Sequence, residues 1–90
     1  SFFMLKQSIM NATFESGKLK IAKQAVSMNT VSSQQVFELV QLFTFESTKL
    51  EFAKFAYSRT FDKGNYFVVN NAFTFNSSIN ALNDYIDSAF

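Results

Sequence analysis

The chain has 90 residues, of which 48% are apolar and 13 are phenylalanine, so its length and composition fit one domain with an aromatic core. Lysine and arginine number 8 against 7 aspartate and glutamate residues, and a formal charge of +1 provides no basic excess for binding nucleic acid. Cysteine and histidine are both absent, which excludes disulfides, thiolate metal ligands, a cysteine nucleophile and the usual general base near neutral pH.

The spacing of apolar residues predicts helices in the first third of the chain. Apolar positions three or four residues apart predict a helix over residues 2–12, with Phe2 and Ile9 on its buried face. A second helix follows, and its apolar stripe is wide enough for the helix to pack on two sides. Its two predicted stripes are Leu19, Ala22 and Val26, and Ile21, Ala25 and Met28.

The same spacing continues to the end of the chain. A third helix is predicted over residues 33–43, with Ser32 and Gln35 spaced as a capping box. A fourth helix is predicted in the segment that begins at Thr44, and Asp62 is the predicted N-cap of a fifth. Residues 66–73 contain β-branched residues and could form a strand alone, but their place in the repeat favours a helix. A sixth helix is predicted from about residue 77 onwards.

A short motif recurs and divides the chain into similar parts. Copies of Thr-Phe-(Glu/Asn)-Ser begin at Thr13, Thr44 and Thr74, about 30 residues apart. We therefore predict a single all-α domain over residues 1–90, built from three helical hairpins at approximately 1–29, 31–60 and 61–90. Six short antiparallel helices would form a compact bundle or a short α-solenoid-like stack.

The recurring motif has a structural interpretation and a catalytic one. In the first, threonine or serine hydroxyls cap the helices, the phenylalanines are wedges between hairpins, and Glu15 and Glu46 favour the positive helix end. In the second, Glu15 and Glu46 form a catalytic carboxylate pair. We favour the structural interpretation because the third copy has Asn76 at this position. The residues assigned as caps or wedges are Thr13, Thr44, Thr74, Ser16, Ser47, Ser77, Phe14, Phe45 and Phe75.

One difference between the copies suggests a binding surface. Phe55 stands where the first copy has Gln24, beside charged residues, and an exposed aromatic ring of this kind is typical of a partner anchor. The alternative is that the central hairpin buries Phe55 between its neighbours. The predicted partner-binding residues are Phe55, Lys54, Glu51 and Arg59.

No catalytic, cofactor or metal site is predicted from the remaining motifs. The segment Asp62-Lys-Gly-Asn lacks the alternating oxygen ligands of a calcium loop and is interpreted as a capped turn. Four lysines are interpreted as a solvated surface: Lys18, Lys23, Lys49 and Lys54. The chain shows no transmembrane segment and no signal peptide, and its start at Ser1 suggests a fragment or processed form.

The chain resembles the family known as domain of unknown function 4476. The resemblance lies in Phe-Thr-Phe-Glu-Ser-Thr-Lys-Leu-Glu-Phe-Ala-Lys-Phe-Ala-Tyr at 43–57, in Asp-Lys-Gly-Asn-Tyr-Phe-Val-Val-Asn-Asn-Ala-Phe-Thr-Phe at 62–75 and in Leu-Asn-Asp-Tyr-Ile at 82–86. Members are frequent in Bacteroidetes-type bacteria, commonly behind an export signal, and occur in some eukaryotes. The resemblance implies a small helical module that is periplasmic, on the cell surface or extracellular, with no assigned catalytic residues.

Two functional hypotheses follow, neither of them enzymatic. The first is a helical interaction module that binds a protein or peptide. The alternative is a site for a small apolar ligand or lipid in the phenylalanine-rich core, with Met4, Met10 and Met28 as adaptable fillers. A carboxylate-only hydrolase is the least favoured hypothesis.

Overall fold

Six helices make up most of residues 1–89, which are the residues that the computed structural model describes. Five are α-helices and one, between the fourth and fifth, is a 3-10 helix. Their bounds are α1 Phe2–Asn11, α2 Glu15–Met28, α3 Ser33–Val40, α4 Glu46–Tyr57, the 3-10 helix Lys63–Ala72 and α5 Asn76–Ser88. The predicted all-α class is therefore confirmed. Phe90, the last residue of the predicted third hairpin, lies outside the described residues.

The start of α3 follows the predicted capping chemistry. The Ser32 hydroxyl accepts the Gln35 backbone N–H at 3.0 Å, and the Gln35 side chain accepts the Ser32 N–H at 3.0 Å. This reciprocal pair satisfies two backbone donors that no intrahelical carbonyl can reach. The predicted capping box is confirmed.

The segment between α4 and α5 is helical, as its place in the repeat predicted, but it winds more tightly than an α-helix. Tyr66, Val69 and Ala72 are its buried residues, and their spacing of three matches the three residues per turn of a 3-10 helix. Runs of this length are uncommon, so packing must hold it. It packs extensively on α3, and the buried Tyr66 hydroxyl donates to the Ala53 carbonyl at 2.6 Å. Burial raises the pKa of Tyr66 well above its usual range.

Helix α4 lies at the centre of the domain, in contact with α2, α3, α5 and the 3-10 helix. Phe52 on α4 is fully buried, and its ring packs against Phe43 with centroids 5.6 Å apart. By contrast, α1 packs chiefly on α2, and α5 chiefly on α4. The core is formed by apolar residues from every helix: Ile9, Ala22, Val26, Val31, Val36, Leu39, Val40, Phe43, Phe52, Ala53, Ala56, Tyr57, Tyr66, Val69, Ala72, Phe73 and Leu82.

Two short backbone links join the loop before α3 to the loop after α4. Val31 accepts from the Phe61 N–H and donates to the Arg59 carbonyl, both at 3.0 Å, as an isolated parallel bridge. The Asp62 carboxylate accepts the Ser33 N–H at 2.7 Å. Asp62 is the N-cap residue of the 3-10 helix, as predicted, but its side chain makes no capping bond to that helix and binds the start of α3 instead. The backbone bridge brings Asp62 to the start of α3.

The three methionines predicted as core fillers are exposed, so that prediction is wrong. Met4, Met10 and Met28 are 66%, 58% and 79% accessible, and Met28 is the last residue of α2. No helix among residues 1–89 has the length and apolar character needed to cross a bilayer.

Candidate functional site

The first copy of the recurring motif is joined to the second through a carboxylate. Glu15, the first residue of α2, accepts the Phe45 N–H at 2.8 Å and the Thr44 N–H at 2.8 Å through Oε2. Thr44 and Phe45 immediately precede α4. The amino-terminal ends of α2 and α4 therefore lie side by side, and a negative charge sits at the positive end of the α4 dipole.

The second copy is joined to the third in the same way. Glu46, the first residue of α4, accepts the Thr74 and Phe75 N–H groups through Oε1, both at 3.0 Å. Partial burial raises the pKa of Glu46, but hydrogen bonds from Phe75, Ser78 and Thr74 outweigh it and hold the pKa below its ordinary value. The ionised form of Glu46 is thus the one that the fold stabilises.

These links replace the predicted hydroxyl caps. The N-cap residues of α2, α4 and α5 are Phe14, Phe45 and Phe75, and none of them makes a side-chain capping bond. The glutamate of the preceding copy satisfies the backbone donors of α4 and α5 instead. The prediction that threonine or serine hydroxyls cap these helices is therefore wrong. The sequence signal for the true partner is the glutamate at the same place in two copies.

The three N-cap phenylalanines point outwards. Phe14, Phe45 and Phe75 have 73%, 59% and 59% of their surface exposed, so the prediction that they are wedges between hairpins is wrong. Phe14 and Phe45 are each followed in sequence by a linking glutamate, and the N–H groups of Phe45 and Phe75 each bind one. The three residues therefore lie along one edge of the domain, at the adjacent amino-terminal ends of α2, α4 and α5. We call Phe14, Phe45 and Phe75 the phenylalanine row.

The predicted binding residue Phe55 is half-buried under two cations. Lys23 Nζ on α2 lies 5.1 Å from its ring centroid, and the guanidinium carbon of Arg59 lies 4.0 Å from it. Lys23 also pairs with Glu51 at 2.7 Å. The structure therefore brings Glu51, Phe55 and Arg59 together with Lys23, a residue that the predicted set did not include.

Lys54, the fourth predicted residue, lies on another side of α4. Its Nζ is 5.7 Å from the ring centroid of Tyr85 on α5. Lys54 and Tyr85 occupy the motif positions of Lys23 and Phe55, one copy later in the chain. We call the contact of α2 with α4 the first seam and that of α4 with α5 the second seam. Each seam has a carboxylate link and a lysine over an aromatic ring.

The structure offers no assembled metal site within residues 1–89, where no cluster of three or more acidic side chains occurs. Glu15 and Glu46, the hypothetical catalytic pair, each accept backbone N–H groups of a different loop. Glu15 serves the first seam and Glu46 serves the second.

A cleft of about 460 Å³ lies between α1, the end of α2 and the start of α3. Its apolar floor includes Leu5, Val26 and Val31, and uncharged polar residues such as Thr30 and Gln35 lie at its edge. The cleft is open to solvent on one side and lies outside the core around Phe52.

The fold and its recurring seams define a small all-helical domain. The model of the family described as domain of unknown function (DUF4476) matches residues 1–86, and the chain belongs to this family. No curated protein and no solved structure matches the chain.

Proposed function

We propose that this domain is a non-catalytic interaction module in which three helical hairpins stack and present an edge to a protein or peptide partner. The hairpins would follow the chain order: α1 with α2, α3 with α4, and the 3-10 helix with α5. In the third pair, the 3-10 helix packs chiefly on α3, and α5 packs chiefly on α4. The support for stacking is that both seams use the same links at the same motif positions. Recurrence of this kind is typical of helical arrays, which commonly bind partners along a continuous surface.

The phenylalanine row is the proposed contact surface. Exposing three large aromatic side chains to water is unfavourable for an isolated domain, and exposed apolar patches mark interaction sites more often than chance. The carboxylate links at Glu15 and Glu46 fix the spacing of Phe14, Phe45 and Phe75, since each link lies next to two of the rings in sequence. A partner would therefore meet a preorganised row, which lowers the entropic cost of binding.

A peptide-display selection on the wild-type domain tests this proposal with random peptides in place of the natural partner. We expect selected peptides to lose at least tenfold in affinity for a variant with Phe14→Ala, Phe45→Ala and Phe75→Ala. Stability should change little because the three rings are exposed. The measurement is titration by fluorescence anisotropy, with far-UV circular dichroism as the check on folding.

The chain provides a matched control for that variant. Phe3, Phe61 and Phe67 are 67%, 69% and 66% exposed, so replacing all three by alanine removes the same number of rings at similar exposure. The selected peptides should bind this control like the wild type. Equal binding to the row variant, or loss of binding only in the control, would refute the phenylalanine row as the contact surface.

The residues predicted from sequence form a second, separate surface for the same function. Phe55 with Glu51 and Arg59 lies across the first seam, and Lys54 lies on the second. Phe55→Ala should weaken partner binding while leaving the melting temperature nearly unchanged if Phe55 is an anchor. Unfolding of this variant would show that Phe55 serves the seam alone.

The cleft beside α1 favours an alternative function, the binding of a small apolar ligand or lipid. Its volume lies in the range of small-molecule sites, and its lining combines an apolar floor with uncharged polar groups. Native mass spectrometry after incubation with fatty acids checks this alternative. A bound acyl chain that is lost in Ala25→Phe, which fills the cleft, would favour it over the interaction module.

The family resemblance also supports the proposal that the domain works outside the cytoplasm. Fractionation of source cells, with an antibody against the domain, tests the location. Recovery in the cytoplasmic fraction alone would contradict it.

A further inference from the structure

Each seam is made by two helices with different roles. One helix, which we call the leading helix, has a glutamate at its first position and a lysine two turns later. These residues are Glu15 and Lys23 on α2, and Glu46 and Lys54 on α4. The other helix of the seam, which we call the receiving helix, provides an aromatic ring and is preceded by the two backbone N–H groups that the glutamate binds. The ring is Phe55 on α4 and Tyr85 on α5. Helix α4 does both, leading on one side and receiving on the other.

The outer sides of α2 and α5 lack these residues. On α5, Asn76 stands at the position of the leading glutamate and Asp84 at that of the leading lysine. On α2, Gln24 stands at the position of the receiving aromatic ring, and Lys20 at the position of Glu51. All four are exposed side chains.

We infer that these four residues determine which helices can join, and that they prevent a second copy of this chain from adding to either end. The inference rests on the stacked arrangement in the proposed function. Asn76 is neutral and shorter than glutamate, so it cannot make the two charge-assisted bonds of the inner seams. At a junction between copies Asp84 would stand opposite Gln24, so both the lysine and the aromatic ring of the inner seams are missing there.

One favourable contact between copies remains, and its magnitude is too small to join them. Asp84 of one copy and Lys20 of the next have opposite charges at facing positions. An exposed ion pair contributes too little to offset the rigid-body freedom that two chains lose on association. The wild-type chain should therefore remain monomeric through its outer helices.

Two variants each give one outer helix the residues that the inner seams have at the same positions. The receiving variant carries Lys20→Glu and Gln24→Phe, and the leading variant carries Asn76→Glu and Asp84→Lys. Each keeps the wild-type residues on its other end, so neither can form a chain with itself. Mixed in equal amounts, they should form a closed pair of twice the 10.3 kDa mass of one chain.

Sedimentation velocity over a concentration series measures the outcome. We expect the wild type and each variant alone to sediment as monomers, and the mixture to associate at least tenfold more tightly than the wild type with itself. A monomeric mixture of two folded variants overturns the inference, and so does wild-type association as tight as that of the mixture.

The opposite substitutions test the same residues if the receiving or the leading variant does not fold. Glu46→Asn with Lys54→Asp places the outer residues in the second seam, and amide exchange in α5 should accelerate at least tenfold while α2 exchange is unchanged. Unchanged exchange in α5 overturns the inference. The receiving and leading variants keep Phe14, Phe45, Phe75 and both carboxylate links, so peptide binding to these two variants tests the row independently.

Discussion

The two seams use the same carboxylate link but differ in their middle contacts. In the first seam, Lys23 contacts both Glu51 and the Phe55 ring, and Arg59 covers that ring as well. In the second seam, Lys54 lies over the Tyr85 ring and pairs with no acidic side chain among residues 1–89, and Ala81 stands where the first seam has Glu51. The carboxylate link is thus the constant part of the joint, and the lysine contact is the variable part.

The helices that flank the seams are also held differently. Helix α2 packs on α1 as well as on α4, whereas α5 packs chiefly on α4. The amino-terminal half of the domain has a further link, in which Lys6 on α1 pairs with Glu38 on α3 at 3.0 Å. Loss of a seam should therefore release α5 more readily than α2.

The largest effect is expected from a residue that supports both seams. Phe52→Ala removes a fully buried ring from α4 and leaves a cavity beside Phe43, which should lower the free energy of unfolding by about 3–5 kcal/mol. Urea denaturation measures the loss. The exposed Phe61→Ala is the control and should be near neutral. A loss below about 1 kcal/mol for Phe52→Ala would contradict the central position of α4.

Replacing the linking carboxylates separates the two seams. Glu15→Gln and Glu46→Gln should each cost on the order of 1 kcal/mol, the lower end for charged hydrogen bonds because both links are open to solvent. Hydrogen exchange should show faster α5 amides in Glu46→Gln, with a smaller change in α2 for Glu15→Gln. Equal responses of α2 and α5 would contradict the difference between the seams.

Acid should weaken both the second seam and the bond from Asp62 to the start of α3. The folded pKa of Glu46 lies below its ordinary value of 4.5, and that of Asp62 lies below 3.8, so their contribution is complete above these values. It is lost as the pH falls through the lower folded values. Thermal melts between pH 7 and pH 2 should show this decline, and Glu46→Gln should flatten part of it. If the melting temperature of Glu46→Gln depends on pH as that of the wild type does, Glu46 does not contribute to the loss of stability in acid.

The smallest effects are expected from the lysines. Lys23→Met should cost about 0.5–1 kcal/mol because it removes an ion pair and a ring contact. Lys54→Met removes only the ring contact and should cost less. Urea denaturation of both variants side by side provides the comparison. A larger loss for Lys54→Met would reverse the proposed order of the middle contacts.

Local signals in the sequence predict the fold class and most of the helices. The capping box of Ser32 and Gln35 needs only residues close in the chain, and it is confirmed. The 3-10 winding of residues 63–72 differs from the predicted helix, although the spacing of Tyr66, Val69 and Ala72 contains the signal. Such a short spacing also fits one face of an α-helix, so it does not fix the winding without the packing on α3.

The candidate site is harder to predict because its partners are about 30 residues apart. The motif indicates that Glu15 and Glu46 are structural, but not that each binds the backbone of the next copy. Phe55 differs from Gln24 in the first copy but agrees with Tyr85 in the third, and only the agreement points to the seam. The sequence pattern cannot show that Phe14 is exposed, since it gives no direction for an N-cap side chain.

A pH titration of backbone amides by two-dimensional NMR tests the carboxylate links most directly. The Thr74 and Phe75 amide protons should shift together with a midpoint below 4.5, the ordinary pKa of Glu46, and should stop responding in Glu46→Gln. The Thr44 and Phe45 amide resonances should differ between Glu15→Gln and the wild type. If these four amides do not respond to changes in their carboxylates, the recurring motif does not join the helices and the two seams are not built as described.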